Sequence, residues 1–479
     1  MNISFIRYII GYVITIESVT MLLPALVALI YNESAGSAYL MCAIAFLIVG
    51  ILLIIKKPKS NQLFAREGFA LVGLSWIILS VIGALPLYLS GDVETYIDGL
   101  FEISSGFTTT GATILSNVEA ISKAGLFWRS FSHWLGGMGV FVFLLSIMPM
   151  AGGNNIHLLR AESPGPSVGK LVPKLRDTAK ILYAIYFVMT VIMFVMLLVA
   201  KMPVFDAINI SLGTAGTGGF AIKNDSIAGY TDAMKWIITA FMILFGVNFN
   251  AYFLLLGRNK KEAFKVEEVK WYFLIIIASV ILITINIVDI YGNVYDSVRE
   301  AAFHVGSVIT TTGFATTDYN LWPTLSKVII VALSFMGACA GSTGGGIKVV
   351  RIVLVLKAIK REIENYVHPR LVRSVRMEGK VVDDTGLRGI FVFLGAYATI
   401  FVISLVLISF DQFDIVTNFT AIAATMSNVG PGLEVVGPCG NFSGFSDFSK
   451  CVLIFDMLAG RLEFFPMLVL FSPFMWKRK

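Results

Sequence analysis

The sequence predicts an all-α polytopic membrane protein, with two N-terminal helices and four pseudo-repeated helix–pore helix–helix units around one ion pore. Three observations carry this. Of the 479 residues, 57% are apolar and only 14% are charged, against about 25% charged in an ordinary soluble domain. That is too little charge to clothe the several soluble domains such a length would require. Ten stretches approach the ~20 apolar residues needed to cross a bilayer. Four polar, Gly-containing segments between certain of these stretches resemble one another, and repeats of this kind define an architecture. The net charge of +6 fits basic loops on one membrane side better than a nucleic-acid surface. Four cysteines and four histidines are scattered without metal-ligand or disulfide-framework spacing.

The expected spans are 8–30, 38–55, 69–90, 124–150, 181–200, 236–257, 271–288, 323–349, 389–410 and 451–475. The first is too long and apolar for a signal h-region and reads as an uncleaved helix. With the N-terminus inside, every inside segment is basic. Lys56, Lys57, Lys59 and Arg66 fall in one, Arg258, Lys260 and Lys261 in another, and Arg351 through Arg388 in the longest. That alternation places both termini in the cytosol.

The repeats read as follows. Residues 98–113 run from Asp98 to Thr-Thr-Thr-Gly111, and 300–316 run from Glu300 to Thr-Thr-Thr-Gly313. Residues 206–220 start at Asp206 and are looser, and 414–432 start at Asp414 and diverge most. The expected division is a two-helix preface 1–60 and repeats 61–165, 166–262, 263–380 and 381–479. Irregular backbone at membrane depth is tolerated only where it is shielded or lines a wet cavity. Four Gly-centred loops around an axis can present carbonyl rings that replace an ion's hydration shell. A short helix ahead of each loop aims its negative end at the centre, which favours a cation. Asp98, Asp206, Glu300 and Asp414 sit at the helix starts and would attract cations to an outer mouth. One Thr-Thr-Thr-Gly alone would be an ordinary helix cap; four related copies on one side favour the pore.

These residues resemble the superfamily of K+ transporters, in particular its bacterial TrkH branch, over essentially the whole chain. The motifs are Phe131-Ser-His-Trp-Leu-Gly-Gly-Met-Gly, Thr108-Thr-Thr-Gly-Ala-Thr113, Thr310-Thr-Thr-Gly-Phe-Ala-Thr-Thr-Asp318, Gly337 through Lys348, and Leu458-Ala-Gly-Arg-Leu-Glu463. The two-helix preface looks like TrkH rather than the shorter KtrB. The resemblance implies a K+ filter at Thr109, Thr110 and Gly111; Gly216, Thr217 and Gly218; Thr311, Thr312 and Gly313; and Asn428, Val429 and Gly430. In the second unit Gly218 is preferred over Gly216 as the filter glycine. Glycine at 111, rather than the serine of Na+-preferring plant relatives, implies K+. The resemblance further implies a homodimer in the bacterial plasma membrane, regulated by a cytosolic TrkA-like ring that binds nucleotide. It implies K+ as the transported ion, with no organic cofactor expected in this chain.

Gly341-Ser342-Thr343-Gly344-Gly345-Gly346 interrupts an apolar span. Glycines cost about 1 kcal/mol each inside a helix. A P-loop needs Gly-Lys followed by Ser or Thr, whereas here Ile347 precedes Lys348. The segment reads as a flexible loop beneath the filter, which the resemblance supports as a gate, with Lys348 beside it. Arg461 is costly at membrane depth unless paired or wet. The expectation places it below the filter, opposing cation passage; the plainer reading pairs it with Asp456 or Glu463. Glu17 receives no function and is expected to pair in the bundle or lie near an interface. Cys439 and Cys451 could form a disulfide, though free thiols are favoured. No activated nucleophile or metal cluster supports an enzyme. A Na+- or H+-coupled symporter on the same fold is the alternative to a channel.

Overall fold

The structure is a computed structural model, and it describes residues 2–58, 65–147, 175–257, 260–263, 265–370 and 373–476. The basic inside segment expected at 151–180 falls mostly outside these residues.

The chain begins with α1 (Ile3–Thr20) and α2 (Leu22–Tyr31), which meet at Met21 and form one apolar stretch of 29 residues, followed by α3 (Gly36–Ile55). Helices α1 and α3 pack closely because Gly11 and Gly50 face each other. A Cβ on Gly50 would lie 3.0 Å from the Gly11 carbonyl oxygen. Small residues do this work in membranes, where lipid is as apolar as leucine and close van der Waals packing must hold helices together.

Four similar sets of helices follow. The first has α4 (Ala65–Ser90), the short α5 (Tyr96–Phe107) and α6 (Lys123–Ile147). The second has α7 (Leu175–Val199), the short α8 (Val204–Gly216), α9 (Asp232–Phe245) and α10 (Phe249–Leu256). After a single turn, α11 (Lys260–Ala263), the third has α12 (Glu267–Tyr291), the short α13 (Val294–Ile309), α14 (Thr324–Met336) and α15 (Val349–Val367). A small antiparallel hairpin, β1 (Arg376–Met377) with β2 (Lys380–Val381), leads to the fourth. It has α16 (Asp384–Ile408), the short α17 (Ile415–Met426), α18 (Asp447–Arg461), α19 (Phe465–Phe471) and α20 (Pro473–Trp476).

The short helices have 12, 13, 16 and 12 residues, or about 18–24 Å of rise, too little to cross a ~30 Å core. Local sequence sets their starts. The Thr95 hydroxyl accepts from the Asp98 N–H (3.1 Å), the Asn293 side chain from Asp296 N–H (2.7 Å), and Asp414 from Val416 N–H (2.9 Å) and Thr417 N–H (3.0 Å). Each satisfies an orphan donor of the first turn.

All ten expected spans contain helix; besides the step at Met21 in 8–30, three are interrupted. Expected span 236–257 bends by 90° between α9 and α10. Span 323–349 stops at Met336, and 337–348 is irregular; span 451–475 stops at Arg461 and resumes at Phe465. Among the described residues, six helices are long and apolar enough to cross a membrane, or seven counting the bent pair. Outward faces are apolar, as with Leu29, Ile285 and Val402. The middle of the molecule is polar instead: Thr109, Thr110, Thr217, Thr311, Thr312, Ser427 and Asn428 are fully buried.

Glu17 is buried within the bundle, and its carboxyl oxygens accept no hydrogen bond among the described residues. Cys439 and Cys451 are exposed free thiols.

Candidate functional site

The residues that follow the four short helices adopt one conformation four times. Thr109, Thr217, Thr311 and Asn428 are left-handed, with φ of 55°, 55°, 57° and 55°. Two residues on, Gly111, Gly219, Gly313 and Gly430 have φ of 81°, 75°, 86° and 99°. The backbone bonds repeat as well. Each left-handed residue donates three residues back: Thr109 to Gly106, Thr217 to Thr214, Thr311 to Val308 and Asn428 to Thr425, at 3.0–3.2 Å. The next residue donates five back: Thr110 to Ser105, Gly218 to Gly213, Thr312 to Ser307 and Val429 to Ala424, at 2.7–2.9 Å. A left-handed residue with a β-branched side chain costs on the order of 1–3 kcal/mol and persists only where its surroundings over-determine it.

This register corrects the second loop. Gly219, not Gly218, occupies the position of Gly111, Gly313 and Gly430. Gly218 matches Thr110, Thr312 and Val429, and Gly216 ends its helix. The signal was present in the sequence. Gly219 lies 13 residues after Asp206, as Gly111 follows Asp98 and Gly313 follows Glu300.

The four loops close on one another. A Cβ on Gly111 would overlap the Gly218 carbonyl oxygen, one on Gly219 that of Thr312, and one on Gly313 that of Val429. A Cβ on Gly430 would come 2.7 Å from the Thr110 oxygen and complete the circle. The residues preceding the four glycines thus each turn a carbonyl toward the neighbouring unit's glycine. Glycine is required at these positions on two grounds, positive φ and the absence of room for a side chain.

Side chains of α6 wedge the first two loops. His133 donates from Nδ1 to the Gly106 carbonyl (2.9 Å), and its Nε2 accepts from Phe220 N–H (3.3 Å). Arg129 forms a buried ion pair with Glu102 (2.7 Å), donates to the Ala221 carbonyl (3.2 Å) and lies over the Phe220 ring. Glu102 also accepts from the Thr113 hydroxyl (2.9 Å) and Ile114 N–H (3.0 Å). In the third loop the Ser307 hydroxyl donates to the Phe314 carbonyl (2.6 Å). Asn428, the departure in the fourth loop, donates to the Thr110 hydroxyl (2.9 Å) and the Met457 carbonyl (3.0 Å). Its amide therefore stitches the fourth loop to the first.

The four acids expected at an outer mouth each have their own partner. Asp98 pairs with Lys450 (2.6 Å), Asp206 accepts from the Tyr230 hydroxyl (2.8 Å), and Glu300 pairs with Arg299 (3.1 Å) and accepts from Thr316. Asp414 caps α17, and hydrogen bonding from Thr417 holds its carboxyl below the usual carboxylate range. The cations beside Asp98 and Glu300 offset much of the attraction that a ring of bare acids would exert.

Beneath the ring lies the irregular stretch 337–348. It is closed at its neck, where Ile347 N–H donates to the Phe335 carbonyl (3.1 Å) and Lys348 N–H to that of Met336 (2.9 Å). Gly337, Gly341, Gly346 and Lys348 all have positive φ. The tip touches the ring: Gly345 N–H donates to the Thr311 hydroxyl (2.6 Å), and a Cβ on Gly344 would approach the Thr310 oxygen at 2.8 Å. The Thr343 hydroxyl donates to the Phe245 carbonyl (3.3 Å), the Ser342 hydroxyl returns to Cys339 (2.7 Å), and Lys348 Nζ folds back to Gly344. Cys339 N–H donates to Gly246 (3.1 Å) and Phe249 N–H to Gly341 (3.0 Å), which docks the loop on the bend of the second unit.

Arg461 lies at this level. It donates to the Thr343 carbonyl (2.9 Å) and to the Gly136 carbonyl (2.6 Å), joining the loop to α6. Near it, Asp456 accepts from the Ser404 hydroxyl (2.8 Å), and Glu463 pairs with Arg351 at the start of α15. Sequence reasoning brought out the loop and Arg461. It gave no role to Glu102, Arg129 or the Arg351–Glu463 pair, whose partners lie far away along the chain, and it carried His133 only within a motif. Among the described residues, no three His, Cys, Asp or Glu side chains gather as a metal-holding group.

Apolar outer helices around a fully buried ring of backbone carbonyls, with a folded loop directly beneath, define a polytopic membrane transport protein. The family profile of TrkH, described as cation transport protein, matches residues 36–478. The chain belongs to the TrkH family. It is 38% identical to the Trk system potassium uptake protein TrkH of Salmonella typhimurium, with 100% of both chains covered. It is 36% identical to the protein of that name from Vibrio parahaemolyticus, with 99% of each covered, and 34% to the Trk system potassium uptake protein TrkG of Escherichia coli, with 100% of each covered. Among solved structures, it matches the crystal structure of the potassium transporter TrkH from Vibrio parahaemolyticus with a TM-score of 0.90 and 33% identity, covering 100% of both chains. These relatives are transporters rather than enzymes.

Proposed function

We propose that this protein takes up K+ across the bacterial plasma membrane through a selective, gated, channel-like pore. The single observation that carries the reading is the closed circle of four glycines and four carbonyls. Carbonyls held by backbone rather than by side chains can take over an ion's hydration shell. The filter in this reading is Thr109–Gly111, Thr217–Gly219, Thr311–Gly313 and Asn428–Gly430, contributed by repeats 61–165, 166–262, 263–380 and 381–479. Thr and Asn side chains in these loops hold the carbonyls in place; the hydroxyl of Thr311, for one, is bound by the loop below. The negative ends of the four short helices face the ring and favour a cation. The membrane potential, worth about 2.3 kcal/mol per charge per 100 mV, drives entry.

The stretch 341–346, with Lys348 and Arg461, is the gate. It lies against the third filter loop at Thr311 and, through Gly345, against Ser427 and Asn428 of the fourth, and Arg461 adds a fixed positive charge on the ion's inward path. Both termini are cytosolic in this arrangement. The chain works as a homodimer under a TrkA-like nucleotide-binding ring, and the basic α15 offers that partner a cytosolic surface. Relatives named as parts of the Trk potassium uptake system support the choice of ion.

Reversal potential in proteoliposomes tests the reading. We expect it to follow the K+ gradient alone. A reversal potential that moves with an imposed Na+ or proton gradient would replace the channel by a coupled symporter on the same fold.

A further inference from the structure

The loop beneath the ring and the helix that follows it are held from behind by one carboxylate. Glu268 lies in the first turn of α12 and is 3% exposed. Its Oε1 accepts from Ala340 N–H (2.6 Å) on the outgoing limb and from Val350 N–H (3.2 Å) just past the returning limb. Its Oε2 accepts from Asn248 Nδ2 (3.4 Å). Asn248 sits in the bend between α9 and α10, and its Oδ1 accepts from Asn250 N–H (2.9 Å), capping α10. One side chain thus ties the loop of the third unit to the break of the second.

The plainer role for Glu268 is helix capping, because α15 has no side-chain cap of its own at Lys348. Capping explains the bond to Val350. It explains neither the shorter bond to Ala340, ten residues earlier, nor the contact with Asn248. A carboxylate suits this post, since it accepts several N–H groups at once and brings no donor that would need a partner. Moving the loop away strips these bonds and leaves buried donors unmet, so the loop is held where it lies.

We propose that Glu268 is the latch of the loop: a positioning residue that keeps 337–348 docked beneath the ring and whose release accompanies opening. This rests on reading that loop as the gate. Glu268→Ala removes every bond. Glu268→Gln keeps the size and one acceptor but turns an amide donor toward Asn248 Nδ2. Asn248 cannot flip to meet it without losing its cap on Asn250, so the glutamine loosens one arm of the latch.

The test uses the full chain in proteoliposomes with two readouts. One is tracer Rb+ flux. The other is labelling of Cys339, a fully buried thiol next to Ala340, by a charged methanethiosulfonate reagent after Cys42, Cys439 and Cys451 are changed to Ser. We expect Glu268→Ala to raise basal flux by about three- to thirtyfold, the range of couplings of this kind, and to expose Cys339 to the reagent. Glu268→Gln should do both to a smaller degree. In a chain lacking residues 343–345, Glu268→Ala should add nothing to flux. If Glu268→Ala does not fold, Glu268→Gln and Asn248→Ala carry the test. Unchanged flux and an unlabelled Cys339 in the Glu268 variants, alongside raised flux in Arg461→Ala, would overturn the latch and leave the gate. A labelled Cys339 with no change of flux in either the Glu268 or the Arg461 variant would remove the gate and leave Glu268 only as a tether of 337–348, with no part in opening.

Discussion

The ring and the level immediately beneath it follow opposite rules. At the ring, four loops share the same left-handed residue, the same pair of backbone bonds and the same glycine two residues later. One step further in, the units part company. Helix α6 runs on through Ile147, α9 turns 90° into α10, α14 gives way to twelve irregular residues, and α18 breaks at 462–464. In the proposed reading, an ion stripped of water needs similar geometry on all sides, which suits a repeated ring, whereas a gate needs only to lie in the path and to leave it, which one unit can supply. The irregular loop of the third unit touches the other three: Phe245 and Gly246 of the second, Arg461 of the fourth and, through Arg461, Gly136 of the first.

The most severe way to break this comparison is to add one methyl to the ring. Alanine at Gly111, Gly219, Gly313 or Gly430 meets a neighbouring carbonyl and takes on backbone strain on the order of 1–3 kcal/mol. K+ uptake by each variant should fall at least tenfold, which 1.4 kcal/mol already produces, and by a similar factor in all four. Uptake that survives in the Gly219 variant but not in the other three would end the equivalence of the second loop.

Below the ring the sign should reverse. In the proposed reading, Arg461→Ala removes a fixed positive charge from the ion's path and the bridge between the loop and α6, so basal flux should rise by about tenfold. Deletion of 343–345 should raise it as well. A loss of flux in both, with protein levels intact in the membrane, would place the loop among structural rather than gating parts.

The smallest effect concerns the one ring member that departs from Thr. Asn428→Thr loses the hydrogen bonds to Thr110 and Met457, each worth about 1 kcal/mol. It should lower the midpoint of thermal denaturation slightly and reduce the preference for K+ over Na+ in tracer competition. An unchanged preference would show that the fourth loop tolerates either side chain.

Much of this was legible in the sequence. Apolar stretches and basic loops marked the ten helical regions, and Thr-Thr-Thr-Gly twice over marked the loops. The divergent loops were harder, because what is shared there is conformation rather than residue type. Thr217-Gly218-Gly219 and Asn428-Val429-Gly430 share only their last glycine in residue type, and composition left the second loop one residue out of register. The breaks in the spans were partly visible: four glycines announced the third, whereas Gly246-Val247-Asn248 and Leu462-Glu463-Phe464 carry little warning. The scaffold was hidden for another reason. Arg129 with Glu102, and Arg351 with Glu463, are single charged residues whose partners are 27 and 112 positions away, and no local pattern couples them.

The way the circle closes also bears on how the protein is made. Each glycine leans on the carbonyl of the next unit, and the last, Gly430, leans back on Thr110. A ribosome delivers these units in order, so the opening near residue 110 stays unsealed until more than 300 further residues have been synthesised. A nascent or truncated chain therefore holds three quarters of a ring and has no complete cage for an ion. In the proposed reading, the cage for an ion is complete only after the final segment has docked against the first.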